Sequence, residues 1–424
     1  MTKEIIMQIK PLLKFLRDSA KKTRDILRTK NAESLTVEPR RYLGEELSQL
    51  VGVPQSTLNS AEQAGRIPKR EKNAQGRKLG YTLDQVVEMQ KLWGTSPQRQ
   101  PGDEPVTIAF TAFKGGCWKT NTTWYAGSCF ANKGLRVLLV DLDPQASLSE
   151  NTGQQPDINV THDDTLAGYI VRGEDYPYSE IPSLIRKTYL PNMDIIPSST
   201  ALASCEMKLN ATLVRANGDP MVFKDVFSRV RQCLAKVKED YDIILIDGTP
   251  SLGVLPLNII FGCDAIVVPT PTELIDFAST GVFNELYYEQ VDFLAGVNNS
   301  GLVAIESAPD IFYLPTRYSA SDKNKTMSSA SILEAIHFTY GSKALKNAIR
   351  KHESAVSNLT HLGRTIFDVN AGQGKVSDIK KDAIIKAREN FNDVFEELLD
   401  KVILPRWPSR QTQPSLRVAN RGSR

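Results

Sequence analysis

Lys114-Gly115-Gly116-Cys117-Trp118-Lys119-Thr120 constrains this chain more than any other stretch. It follows an apolar run, residues 106–113, that reads as a buried strand, and it opens a segment, residues 121–132, that reads as a helix. A strand, a glycine-bearing turn and a helix N-terminus form a cradle for an anion. The backbone N–H groups of the turn and the positive end of the helix dipole aim at one spot. Lys114 and Lys119 bracket that spot. The ordinary phosphate-loop pattern is G-x-x-x-x-G-K-[ST], and the chain departs from it at both glycines, where Phe113 and Trp118 stand. Lys119 and Thr120 do fit: lysine supplies a charge for phosphate oxygens, and the threonine hydroxyl can ligate Mg²⁺. Taken alone, the turn is also open to a plainer reading as a surface loop with two glycines and some lysines.

Two further segments weigh against that plainer reading. Residues 136–145 form a short apolar run that ends in Asp141 and Asp143, and residues 241–250 form another that ends in Asp247. In open α/β sheets, ligands bind at the carboxyl ends of strands. If these strands are neighbours, the three acids and the lysine loop fall at one edge. Mg²⁺ takes carboxylate and water ligands beside phosphates. A water attacking a γ-phosphate needs a positioned carboxylate. Each acid alone could be a strand-end turn residue; the set together with the loop predicts a nucleotide site.

The set resembles the deviant Walker A family of ATPases, whose loop reads K-G-G-x-x-K-[ST]. Asp141-Leu-Asp-Pro-Gln145 and Asp247-Gly-Thr-Pro-Ser251 are similar to segments of its partition branch. The chain more closely resembles the large, DNA-binding ParA/SopA partition ATPases of plasmids and plasmid-like prophages. Supporting stretches are residues 81–85, 134–141, 266–274, 344–350 and 404–407, so the likeness runs from about Leu43 to Trp407. The resemblance implies ATP/ADP and Mg²⁺ as cofactors, bound by Lys114, Gly115, Gly116, Cys117, Trp118, Lys119, Thr120 and Asn121. It implies that Lys119 neutralises the transferred phosphoryl group and that Thr120 ligates Mg²⁺. Asp141 and Asp247 would hold the ion directly or through water, and Asp143 would position the attacking water. Lys114 would reach across a nucleotide sandwich homodimer to the partner's ATP. Trp118 departs from the smaller ATPases, which carry glycine there, and leaves the backbone shape of the loop open.

Composition sets outer bounds. A chain of 424 residues has room for more than one domain, and 41% hydrophobic with 24% charged residues is ordinary for a globular protein. No run of 18 apolar residues exists, so no membrane span is expected. The first residues lack a signal-peptide core and cleavage site. Cys117, Cys129, Cys205, Cys233 and Cys263 show no metal spacing, which fits a reducing cytoplasm better than a disulfide scaffold. Charge is uneven: residues 1–100 hold 19 Lys/Arg against 11 Asp/Glu, while the whole chain is only +3. Such asymmetry points to an anionic partner for the N-terminal part, nucleic acid above all, or to a solvated basic surface.

The predicted organisation has five parts. Residues 1–36 carry apolar positions at helical spacing among lysines and arginines. They read as a basic amphipathic helix for a dimer contact, with a membrane surface or packing on its own domain as alternatives. Residues 37–95 read as an all-α winged helix-turn-helix domain, with helices over 43–50 and 54–64 and a turn at Gly52. Gln55, Ser56, Thr57, Asn59 and Ser60 would face bases. Arg66, Lys69, Arg70, Lys72, Arg77 and Lys78 would contact phosphates from the wing. Residues 96–105, with Pro97, Pro101 and Pro105, read as a linker. From 106 to 408 strands and helices alternate, with strands expected at 106–113, 136–141, 193–197, 242–247, 264–269, 310–315 and 344–349. The fold class is therefore α/β, a mainly parallel doubly wound sheet. A closing helix is expected over 376–402. Residues 409–424 read as a disordered tail. Arg317, Lys323, Lys325, Lys343, Lys346, Arg350, Lys351 and Arg364 suggest a second basic surface, which the resemblance implies for nonspecific DNA in the ATP-bound dimer.

The resulting expectation is a cytoplasmic, nucleoid-associated partition ATPase. It would be stimulated by a ParB/SopB-like centromere-binding protein and would repress its own operon through the helix-turn-helix. The alternative is a nucleotide-sensing transcriptional repressor without a segregation role. A membrane-cycling ATPase is disfavoured, because Ser409 to Arg424 contains no amphipathic apolar helix.

Overall fold

The computed structural model describes residues 40–411 apart from 113, 157, 174–176, 250–252, 300–308, 321–327 and 371–378, together with scattered positions between 10 and 22. The expected N-terminal helix therefore lies mostly outside the described residues; the described positions among residues 10–22 are helical.

The apolar runs form seven strands: β1 (Val106–Phe110), β2 (Val137–Leu142), β3 (Arg186–Lys187), β4 (Met193–Ile196), β5 (Ile243–Gly248), β6 (Ala265–Pro271) and β7 (Asp310–Thr316). They make one sheet in the order β3-β4-β2-β5-β1-β6-β7. Every pairing is parallel except β3 with β4. The sequence reason is direct. Strands buried on both faces of a parallel sheet are continuously apolar, and β1, β2, β4, β5 and β6 are buried at every position. Val137, Leu139, Ile243 and Leu245 join one core; Leu138, Val140, Ile244 and Ile246 join the other.

The first core lies under the helices Lys119–Asn132 and Lys381–Leu398. Tyr125 and Phe391 pack there with ring centroids 4.8 Å apart and planes tilted by 31°, and Phe391 also meets Phe395. Truncating Phe391 to alanine would cost about 3–5 kcal/mol. The second core lies under the helices Pro220–Leu234 and Val254–Phe261.

The N-terminal unit has helices Gly44–Val51 and Gln55–Gln63, joined where Gly52 takes φ 74°. Helix Leu83–Trp93 begins at Thr82, whose side chain accepts from the Gln85 N–H while Gln85 caps back. Leu47, Val51, Leu58, Val86 and Met89 are buried between the three. The wing is a tight hairpin rather than helix: Lys72 bridges Lys78, and the Leu79 N–H donates to the Glu71 carbonyl at 2.7 Å. The unit is seated on the C-terminal end of helix Lys119–Asn132. Gln90 Nε2 donates to the carbonyls of Leu50 and Lys133 at 2.8 and 3.0 Å, and Tyr42 hydrogen-bonds Asn132.

One expected strand needs correction, and the expected linker and the start of the expected tail make packing contacts. Residues 344–349 are not a strand. They touch β7 at a bridge from Ala344 to Tyr313 and through the Leu345 and Ile349 N–H groups, which donate to the Tyr313 and Pro315 carbonyls, but the N–H groups of Lys346 and Asn347 between them donate to the Glu397 carboxylate and no ladder forms. The stretch 96–105 does not run free: Arg99 binds Asp242 and the Tyr241 carbonyl, and Trp407 donates to the Glu104 carbonyl at 2.9 Å. Of the expected tail, Ser409 binds Asp103 through its hydroxyl and N–H and Arg410 donates to the carbonyls of Ser96 and Gln98, while residues 412–424 lie outside the described residues.

Candidate nucleotide site

β2, β5 and β1 are adjacent, so their carboxyl ends form one edge. Asp141 and Asp247 are register partners across β2 and β5, and Phe110 is the partner of Asp247 across β1. The lysine loop leaves β1 at that level. The three acids and the loop thus share one edge, as the strand-end reading requires.

The loop's shape is decided by Gly116 and Trp118. Gly116 has φ 76°, and Trp118 has φ 73° and ψ 23°. The ordinary pattern places glycine at the second position because a left-handed backbone strains an L side chain by about 1–2 kcal/mol. Here tryptophan adopts that conformation, and its half-buried ring packs on the first core. Trp118 therefore keeps the turn that glycine would have made. Phe113, at the first glycine position, lies outside the described residues.

Helix Lys119–Asn132 starts directly after Trp118, and its first helical bond runs from Thr122 N–H to the Trp118 carbonyl. The N–H groups of Lys119, Thr120 and Asn121 precede it in the first turn, where backbone donors have no intrahelical acceptor. Lys119 is buried, with Nζ 3.4 Å from the Lys114 carbonyl. Cys117 is buried and donates to the same carbonyl at 3.1 Å. Burial pushes its thiol up against the pull of Lys119, so its part is structural. Lys114 is exposed at the rim, and its ammonium forms an ion pair with Asp276, at the start of helix Leu274–Asn299.

The acids differ in surroundings. Asp141 is buried and accepts from the Ser149 hydroxyl at 2.7 Å, the Ser149 N–H at 2.9 Å and the Asp143 N–H at 3.1 Å. Burial nevertheless pushes its carboxyl up to about 7. Asp247 is buried, and neither oxygen makes a hydrogen bond of normal geometry. Burial first, then the Asp141 charge, hold it well above the usual carboxylate range; Thr120 and Lys119 pull the other way. Asp143 is half-exposed and caps its own turn, accepting from the Gln145 N–H at 2.9 Å.

Two adjacent buried carboxylates, one of them without a hydrogen bond of normal geometry, form an arrangement that a hard cation would stabilise. Among the described residues no group of three or more His, Cys, Asp or Glu could hold a metal by itself. An ion here would be shared with phosphate and water oxygens, and Asp141, Asp247 and the Thr120 hydroxyl are the groups that would hold it on the protein side.

The residues expected to meet DNA fall in two places. Ser56, Asn59, Arg66, Lys69, Arg77 and Lys78 are exposed on the N-terminal unit, with Gln55, Thr57 and Arg70 half-buried. Arg70 and Lys78 both pair with Glu62, at 2.7 and 3.2 Å. On the sheet side Lys346 and Arg350 are exposed, and Lys351 pairs with Glu273 at 3.3 Å. Arg364 is a correction. It is buried, with its guanidinium 4.3 Å from the Tyr189 ring centroid, and it packs rather than presenting charge. Lys323 and Lys325 lie outside the described residues.

Four residues around these places were not singled out from sequence: Asp276, Glu62, Ser149 and Ser198. An acid after a strand end could have flagged Asp276. No spacing marks the other three, whose roles arise from contacts between separate segments. Among the described residues no helix is long and apolar enough to cross a membrane.

Comparison with known proteins agrees with this geometry. Residues 106–300 match the family model described as AAA domain. The chain is similar to Protein SopA of Escherichia coli (strain K12), 32% identical over 88% of this chain and 90% of that one. It is also similar to the sporulation initiation inhibitor protein Soj of Bacillus subtilis, 35% identical over 39% of this chain and 58% of Soj. A solved structure described as Partition Protein superimposes with a TM-score of 0.58 at 17% identity, covering 92% of this chain and 98% of that one, which supports the fold. With a SopA likeness spanning nearly the whole of both chains, and a lysine loop and carboxylates at one edge of a parallel sheet, this chain belongs to the ParA/SopA family of partition ATPases.

Proposed function

We propose that the chain moves DNA cargo by cycling between an ATP-bound dimer on nonspecific DNA and a form released by hydrolysis. The observation that carries this reading is the buried pair Asp141 and Asp247 beside Lys119 and Thr120, with half-exposed Asp143 two residues on. In this reading Lys119 and the helix N-terminus hold the β- and γ-phosphates of ATP. Thr120, Asp141 and Asp247 hold Mg²⁺ directly or through water. Magnesium, when bound, neutralises charge on the phosphate oxygens. Asp143 orients the attacking water and takes up its proton. Lys114 exchanges Asp276 for the partner subunit's nucleotide.

The N-terminal unit binds an operator in this scheme through the helix Gln55–Gln63 and the hairpin bearing Arg77. Lys346, Arg350 and Lys351 hold phosphates of nonspecific DNA. Such contacts release counterions, so affinity falls steeply with salt. A ParB/SopB-like centromere-binding protein stimulates turnover, and the protein works in the cytoplasm on the nucleoid.

The test is ATP turnover by the full chain with duplex DNA, for wild type and Asp143→Ala. Wild type should hydrolyse ATP, and the variant should bind ATP within about threefold while losing at least about 100-fold in kcat. A wild type that binds ATP but never hydrolyses it would leave a nucleotide sensor and refute the partition cycle.

A further inference from the structure

The turn between β2 and the short helix Ser147–Asn151 is tied to the end of β4 by two buried serines. Ser149 and Ser198 are both fully buried. The Ser198 N–H donates to Ser149 Oγ at 2.8 Å. An N–H can only donate, so the Ser149 oxygen accepts there and its own proton points elsewhere. That proton goes to Asp141 Oδ2 at 2.7 Å, where the Ser149 N–H also arrives at 2.9 Å. The other Asp141 oxygen accepts from the Asp143 N–H at 3.1 Å. The second serine completes the loop: Ser198 Oγ donates to the Asp143 carbonyl at 2.7 Å.

Four segments therefore converge in one directed relay: β4's end, the helix carrying Ser149, the carboxylate of Asp141 and the turn of Asp143. The relay fixes the rotation of Asp141 about its side chain and the height of the Asp143 turn. A buried carboxylate with three donors has one orientation; its register partner Asp247 makes no hydrogen bond of normal geometry. Groups that orient a metal ligand tune the ion without touching it.

We infer that Ser149 and Ser198 are positioning residues, with separable tasks: Ser149 orients Asp141 toward the magnesium ion, and Ser198 holds the Asp143 turn. This rests on the assignment of Asp141 and Asp247 to magnesium. Ser149→Ala removes the hydroxyl donor to Asp141 and the acceptor of the Ser198 N–H, and leaves the Ser149 and Asp143 N–H donors to Asp141 in place. Ser198→Ala keeps the N–H that Ser149 uses and removes only the hydroxyl donor to the Asp143 carbonyl, which still accepts from the Ala146 N–H at 2.9 Å. The two variants should therefore fail differently.

The measurement is binding of a fluorescent ADP analogue to the full-length protein, with magnesium and with EDTA, alongside ATP turnover and thermal melting. In wild type and in Asp141→Ala, the ratio of the two affinities reports whether Asp141 contributes to magnesium at all. Ser149→Ala should bind the analogue normally in EDTA and lose about tenfold of the magnesium-dependent gain, within the range for groups that orient metal ligands. Ser149→Thr, which keeps the hydroxyl, should recover to within about threefold. Ser198→Ala should keep the magnesium gain and lose kcat severalfold with KM for ATP unchanged. A wild-type magnesium gain in Ser149→Ala, or an equal loss with and without magnesium, overturns the inference while leaving Asp141 as a ligand. A wild-type gain in Asp141→Ala overturns the ligand assignment itself and the inference with it.

Discussion

Asp247→Asn should stabilise the nucleotide-free protein. Asp141 and Asp247 sit opposite one another on neighbouring parallel strands, both buried. Such strands lie about 4.8 Å apart. Two carboxylate charges at about 5 Å repel by about 3 kcal/mol at an effective dielectric constant of about 20. The amide keeps the shape, removes one charge and can donate to Asp141. The sign with pH follows from the raised carboxyls. Asp141 moves from an ordinary 3.8 up to about 7, and Asp247 moves in the same direction. A folded chain that keeps these protons is most stable below the unfolded value and loses stability as pH rises through the folded one. The variant should therefore match wild type near pH 4 and exceed it by about 2–4 kcal/mol at pH 8. In a chain of this size that is a rise of about 2–4 °C in melting temperature. Circular dichroism melts in EDTA without nucleotide, across that pH range, measure it. Magnesium with ATP should stabilise wild type and do far less for the variant. A lower melting temperature at pH 8, or a difference that does not change with pH, would refute the argument that the pair is held together against its own charge.

Two further outcomes follow from other contacts. Lys114→Ala should leave monomer nucleotide binding within about twofold and weaken the ATP-dependent dimer by at least about tenfold, since its role lies across the interface; sedimentation with a slowly hydrolysed analogue reads both, and an unchanged dimer contradicts it. Gly134→Ala should destabilise the chain by about 2–4 kcal/mol. Gly134 has φ 100°, and a Cβ there would lie 2.1 Å from Gln90 Oε1, displacing the side chain that joins Leu50 to Lys133. Chemical denaturation checks it, and wild-type stability would sink the argument.

The central strands were legible because burial on both faces leaves an unbroken apolar run, as in Val137–Leu142 and Ile243–Gly248. Where that signal fails, so does the reading. Residues 344–349 look strand-like by composition, yet Glu397 from the C-terminal helix takes two of their N–H groups. β3 is only two residues long and carries no apolar pattern. Arg364 looked like one more basic residue, and only the Tyr189 ring beneath it makes it part of the interior.

By itself the sequence determined the nucleotide edge: a loop of fixed spacing and acids at strand ends are local, and parallel-sheet topology carries them to one side whatever surrounds them. Tertiary structure alone decided how that edge is tuned. The buried state of Asp141 and Asp247, the serine relay behind Asp141, the Asp276 partner of Lys114 and the seating of the N-terminal unit on the far end of the loop's own helix all depend on contacts between segments far apart in the chain. Hydrogen bonds and desolvation act over a few ångströms of space, and no spacing along the chain records which segments come that close.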